Sequence, residues 1–99
     1  FDLIYSVIVF QHMKRRNILK YLIDSYNYLE SGGFVYFTFA NLHNDENFET
    51  FVEEGLEKTY SFRMRYFTKD ELRIYFEKIG FRDLVINDEG HQLIAIAKK

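Results

Sequence analysis

The sequence predicts an α/β domain: two parallel strands joined by a helical crossover, then an antiparallel carboxyl-terminal hairpin, with helices packed on the sheet. Three observations carry this. Leu3, Ile4, Tyr5, Val7, Ile8, Val9 and Phe10 form an apolar run broken only by Ser6, and Phe34 to Phe39 (FVYFTF) form a second one. Such runs fit strands covered on both faces, whereas half-exposed strands alternate. Between them Leu19, Leu22, Ile23, Tyr26 and Leu29 recur at three- and four-residue steps, the spacing of one helix face. Near the end, Asp88-Glu89-Gly90-His91 separates Leu84–Asn87 from Gln92–Ala97, a turn-rich connection suited to a hairpin.

Taken in order, the first strand ends on Gln11, His12 and Met13, and Lys14, Arg15 and Arg16 lead into the first helix. Gly32 and Gly33 stop that helix, because glycine tolerates positive φ just past a helix end. A strand, helix, strand order closes as a right-handed unit. Asn41 marks the carboxyl end of the second strand and, for parallel strands, is expected level with Ser6 and Val7. The stretch 41–67 reads as an insertion. Within it Phe48, Phe51, Val52 and Leu56 repeat at helical spacing among Glu46, Glu49, Glu53, Glu54 and Glu57. The acidic run reads as a solvated face or as the outside of a lid over a substrate. Tyr60 to Phe67 alternates and predicts an extended segment. Thr68 and Glu71 form a T-x-x-E capping box at the start of a helix. Leu72, Tyr75, Phe76 and Ile79 make its apolar stripe, and Gly80 closes it.

Composition bounds the function. The chain's 99 residues are expected to form one domain, and 47% hydrophobic content with 19% aromatics supplies a core. A formal charge of −2 leaves no electrostatic footprint for nucleic acid. Without cysteine there is neither a disulfide nor a thiolate metal site. The three histidines form no H-x-x-x-H or H-E-x-x-H pair, so no metal site is expected. No apolar run approaches the roughly 20 residues that span a bilayer, and no basic n-region of a signal peptide is visible, so the cytoplasm is the expected compartment.

One ordered series of short motifs covers nearly the whole chain. It comprises Phe1-Asp2, Phe10-Gln11-His12, Leu29-Glu30-Ser31-Gly32-Gly33, Tyr66-Phe67-Thr68-Lys69-Asp70-Glu71-Leu72 and Gly80-Phe81. The series resembles the later part of a class I S-adenosylmethionine-dependent methyltransferase. That resemblance implies a partial Rossmann-like methyltransferase sheet whose reversed last strand inserts beside the family's fifth. It also implies that the glycine-rich cofactor loop and the acid after the family's second strand lie upstream of Phe1, so that the chain is the carboxyl-terminal half of an enzyme domain and is inactive alone. S-adenosylmethionine is the implied cofactor and needs that missing half. Ser6 and Val7 would lie beside its methionine part, with Phe10, Gln11 and His12 bordering the transfer site. The insertion would face a small-molecule methyl acceptor, with Asn41, His43, Arg63, Arg65 and Tyr66 as the substrate-side residues.

The residues themselves leave choices open. His12, at the strand end where α/β sheets bind ligands, is the candidate general base; the alternative, that it simply ties the loop to the helix start, is the stronger of the two. His43 is the second candidate, and His91 in the hairpin turn is expected to be exposed. Arg63 and Arg65 emerge together from an alternating stretch and could grip a carboxylate or phosphate, or simply face water. Two classes of function follow: a methyltransferase, or a non-catalytic remnant of the fold serving as an interaction or dimerisation module. In either case the first strand would leave a long apolar edge, with Ile4, Val7, Ile8 and Val9 uncovered. Self-association through it is expected.

Overall fold

The computed structural model describes residues 2–6, 14–56 and 66–99. Eight elements follow in order: β1 (Leu3–Ser6), α1 (Arg15–Tyr28), β2 (Phe34–Asn41), α2 (Asp45–Leu56), β3 (Tyr66–Phe67), α3 (Lys69–Ile79), β4 (Arg82–Asp88) and β5 (Gln92–Lys98). They form one mixed sheet of order β1-β2-β5-β4. β1 runs parallel to β2, and β5 lies antiparallel between β2 and β4. The expected parallel pair, crossover helix and reversed strand beside β2 are all present.

The register assigns every side chain to a face, because paired residues project to the same side of a sheet. Val35, Phe37 and Phe39 of β2 share a face with Leu93, Ala95 and Ala97 of β5, all of them buried. α1 and α3 cover this face with Ile18, Leu22, Leu29, Leu72 and Phe76. Edge-to-face contacts of Phe39 with Phe67 at 5.2 Å and with Phe76 at 6.3 Å join the sheet to α3. The favoured T-shaped geometry of aromatic pairs suits a core this rich in phenylalanine.

Four details depart from expectation. The buried line of α1 is Ile18, Leu22 and Ser25, continued by Leu29, while Ile23 stays exposed. Leu22, Tyr26 and Leu29 of the expected stripe pack in the core, joined by Ile18, which the stripe omitted. Ser6 pairs with Phe37, so Asn41 lies well beyond its level in the sheet. Phe48, Phe51 and Val52 of α2 are exposed instead of forming a buried stripe, although the rings of Phe48 and Phe51 stack at 6.3 Å. Ile4 packs against the core, and Leu3 and Tyr5 are the exposed side chains of β1. Val7, Ile8 and Val9 lie outside the described residues.

The two glycines after α1 have different jobs. Gly32 takes φ 84° in the turn. Gly33 is required for space: a Cβ there would sit 3.0 Å from the Glu30 carbonyl oxygen and 3.1 Å from that of Asp2. Gly80 caps α3 at φ 116°, as its position predicts.

Candidate functional site

The carboxyl ends of β1 and β2 point the same way, toward the end of an α/β sheet where ligands bind. On that side Asn41 is buried and its carboxamide is fully engaged. Its Nδ2 donates to the Gly90 carbonyl at 3.0 Å and to Asp88 Oδ1 at 3.3 Å, while its Oδ1 accepts from the His43 amide at 3.0 Å. Asn47 adds a second tie, donating from Nδ2 to the Asn41 and His91 carbonyls at 2.9 and 2.8 Å. Together they lock the β4–β5 turn to the start of α2. Asn44 caps α2 by accepting the Asn47 amide at 3.1 Å. The spacing of Asn44 and Asn47 before an amphipathic run was the available sequence signal for that start.

Beside this knot a cavity of about 290 Å³ is lined by His43, Thr68, Lys69, Asp70 and Asp88. His43 therefore sits on the wall of a cavity, held there by the Asn41 contact to its own amide. Tyr66 is brought next to Asn41, since β3 pairs with the end of β2 through Ala40–Tyr66 and Asn41–Phe67. Its ring is buried against Phe51 of α2 at 6.2 Å, edge to face. His91 is exposed, as expected, with Nε2 at 3.4 Å from Glu46.

A second cluster, without a sequence signal beyond the capping box, joins the helix starts. Arg15, at the first turn of α1, donates from Nε to Glu71 Oε2 at 2.8 Å and from an Nη to Glu71 Oε1 at 3.2 Å. The same guanidinium donates to the Tyr66 carbonyl at 3.0 Å and lies 5.1 Å above the Phe67 ring. Tyr75 Oη donates to Glu71 Oε2 at 2.9 Å. Thr68 caps α3 by accepting the Glu71 amide at 3.2 Å, so that half of the capping box forms. The Glu71 carboxylate, expected to turn back on Thr68, is taken by Arg15 and Tyr75 instead, through a bidentate charged pair and a hydroxyl hydrogen bond. The hydrogen bond to Glu71 raises the Arg15 pKa above its usual value.

Burial, then the hydrogen bond to Glu71, raises the pKa of Tyr75 above its usual 10.0. A raised folded-state pKa gives stability that is full below pH about 10 and lost as pH rises through the folded value. The expected result is a decline in stability above pH about 10 that Tyr75→Phe reduces. Denaturant melts of both proteins between pH 8 and 11 check it, and equal slopes would remove Tyr75 as the cause.

Of the expected cofactor-side residues, Ser6 ends β1, and Val7, Phe10 and Gln11 lie outside the described residues, as do His12, Arg63 and Arg65. Among the described residues no group of three or more His, Asp or Glu side chains could hold a metal ion, and no helix is long and apolar enough to cross a membrane.

No family model matches the chain, and no curated protein matches it. Solved structures do match. A methyltransferase dependent on S-adenosylmethionine from Thermotoga maritima is 18% identical, with a TM-score of 0.78 over 100% of this chain and 56% of that one. Another from Archaeoglobus fulgidus is 12% identical, with a TM-score of 0.78 over 99% of this chain and 59% of that one. Human N-acetylserotonin methyltransferase, solved with S-adenosylmethionine, is 18% identical, with a TM-score of 0.74 over 99% of this chain and 29% of that one. The chain thus spans little more than half the length of the first of these structures and under a third of the last. Its fold matches part of the Rossmann-like fold of class I S-adenosylmethionine-dependent methyltransferases.

Proposed function

We propose that this chain is the carboxyl-terminal part of an S-adenosylmethionine-dependent methyltransferase acting on a small-molecule acceptor. The observation that carries the reading is the topology: parallel β1 and β2 with a reversed β5 inserted beside β2, matched over the full chain by methyltransferases. Fit to the cofactor is partial. Ser6 supplies a strand end where the methionine part would lie, and the resemblance places most of the groups for the ribose and adenine upstream of Phe1. When bound, the cofactor supplies an electrophilic methyl group. The protein's share is placement, so orientation carries most of the catalysis.

In this reading the segment 41–67 faces the acceptor, with His43 on the cavity wall and Arg63 and Arg65 for an anionic acceptor group. Asn41 acts as a positioning residue through Asp88, Gly90 and His43. His12 is the general base where the acceptor is an alcohol or amine, with Gln11 beside it.

The test has two arms. Calorimetric titration of the 99-residue chain with S-adenosylmethionine should give no micromolar binding, because half of the crevice is lacking. The polypeptide encoded with the sequence upstream of Phe1 should carry G-x-G-x-G after an apolar strand and transfer radiolabelled methyl groups, with His12→Ala lowering turnover. Micromolar binding by the chain alone would overturn the half-site reading. A longer polypeptide that binds no cofactor would return the protein to the interaction-module class.

A further inference from the structure

The two helices on the core face each bury a stripe, Ile18, Leu22 and Ser25 on α1 and Leu72 and Phe76 on α3. α2 buries none: of its described side chains, Asp45 to Glu53, all but the half-buried Asn47 are exposed. A helix of this sequence is weak alone. Twelve residues are marginal for an isolated helix, Gly55 weakens it further, and Asp45, Glu49 and Glu53 repeat a like charge at four-residue steps. Its attachment to the sheet therefore maintains it, and among the described residues that attachment is narrow. Asn47 Nδ2 donates to the Asn41 and His91 carbonyls at 2.9 and 2.8 Å, and past that first turn the Phe51 ring meets Tyr66 edge to face at 6.2 Å. The Glu46–His91 pair at 3.4 Å is exposed on both sides and contributes little.

We propose that α2 is a latched unit that opens from the carboxyl end of the sheet about His43 and Asn44 while the rest of the domain stays folded, with Asn47 as its latch. The hydrogen bonds place the hinge. The Leu42 amide donates to the Phe67 carbonyl at 3.0 Å, which holds the chain to β3 up to that residue. From Asn44 onward the bonds belong to the helix: the Asn44 side chain accepts the Asn47 amide, and its carbonyl accepts the Phe48 amide at 2.8 Å. Between these anchors the chain is tied to Asn41 alone, by the His43 amide at 3.0 Å and the Asn44 amide at 3.3 Å. Opening breaks the two bonds of one carboxamide and one ring contact, whereas releasing α1 or α3 would expose several buried apolar side chains. That places α2 at the low-stability end of the domain. Closure also shapes the cavity of about 290 Å³, because His43 stands in the hinge and Asp88 in the hairpin that Asn47 grips, and both line it. The cavity is complete in the latched state, so a ligand that fills it favours closure. This inference goes beyond the methyltransferase reading and does not depend on it.

Native-state hydrogen exchange of the 99-residue chain, followed by NMR, tests it. The amides of Phe48 to Glu53 are expected to exchange at least about tenfold faster than those of β2. Ile18→Val, a change in the buried stripe of α1, should speed exchange in α1, α3 and β2 by about two- to tenfold. It should leave α2 unchanged, because the latched and open states keep the same core. Asn47→Ser, similar in helix propensity but without the carboxamide donors, should speed α2 exchange about tenfold, the weight of hydrogen bonds made only on closure. Protection of α2 equal to that of β2 overturns the proposal. Acceleration of α2 by Ile18→Val, or its indifference to Asn47→Ser, overturns it as well.

Discussion

Asn41→Asp is expected to destabilise the fold by about 3 kcal/mol, since each buried polar group left unsatisfied costs about 1–3 kcal/mol and a charge costs more. The substitution keeps the acceptor for the His43 amide but replaces both Nδ2 donors with an oxygen facing the Asp88 carboxylate and the Gly90 carbonyl. The penalty should shrink at acid pH, where protonation returns one donor. Chemical denaturation at pH 7 and pH 4 measures both effects. If Asn41 served only to contact a substrate, the variant would lose affinity with its stability intact, and that outcome would remove it from the structural knot.

Phe76→Ala should cost about 3–5 kcal/mol, the range for truncating a buried phenylalanine. The ring is fully buried and touches Phe39 at 6.3 Å and Phe81 at 5.2 Å. It therefore joins β2, α3 and the residue leading into β4, and its loss opens a void that the sheet cannot close. Small domains are stable by only about 5–15 kcal/mol. A large unfolded fraction at 37 °C is the expected result, read by circular dichroism. Phe48→Ala on exposed α2 is the control and should change little. A cost below about 1 kcal/mol for Phe76 would mean that the helices do not pack on this face as described.

The legibility of the chain follows from where its information lies. The second apolar run, the Thr68 cap, the Gly80 close and the β4–β5 turn depend on neighbours in sequence, and the structure has each of them; of the first run it describes Leu3–Ser6, and α1 ends on Leu29 in extended backbone, three residues before the Gly32 turn. The stripe of α1 was right at Leu22, Tyr26 and Leu29, which pack in the core, but it held Ile23, which is exposed, and omitted Ile18, which is buried, although the two are equally apolar. Only contact with β2 distinguishes them. The capping box was half right for a related reason: Glu71 has a local partner at Thr68 and a distant one, Arg15, and no local pattern ranks the two.

By itself the sequence determined the order and kind of elements and, through the ordered motifs, the fold to which they belong. The tertiary structure alone decided the register that places Asn41 beyond Ser6. It also decided the spending of the Asn41 carboxamide on the hairpin, the Arg15–Glu71–Tyr75 cluster, and which side of β1 is left open. Strand pattern is set by local burial preference and has period two, so it states that faces differ without saying which one a helix will cover. Hydrogen bonds between residues more than forty positions apart, such as those from Asn41 to Asp88 and Gly90, arise only when the folded sheet brings its strand ends together.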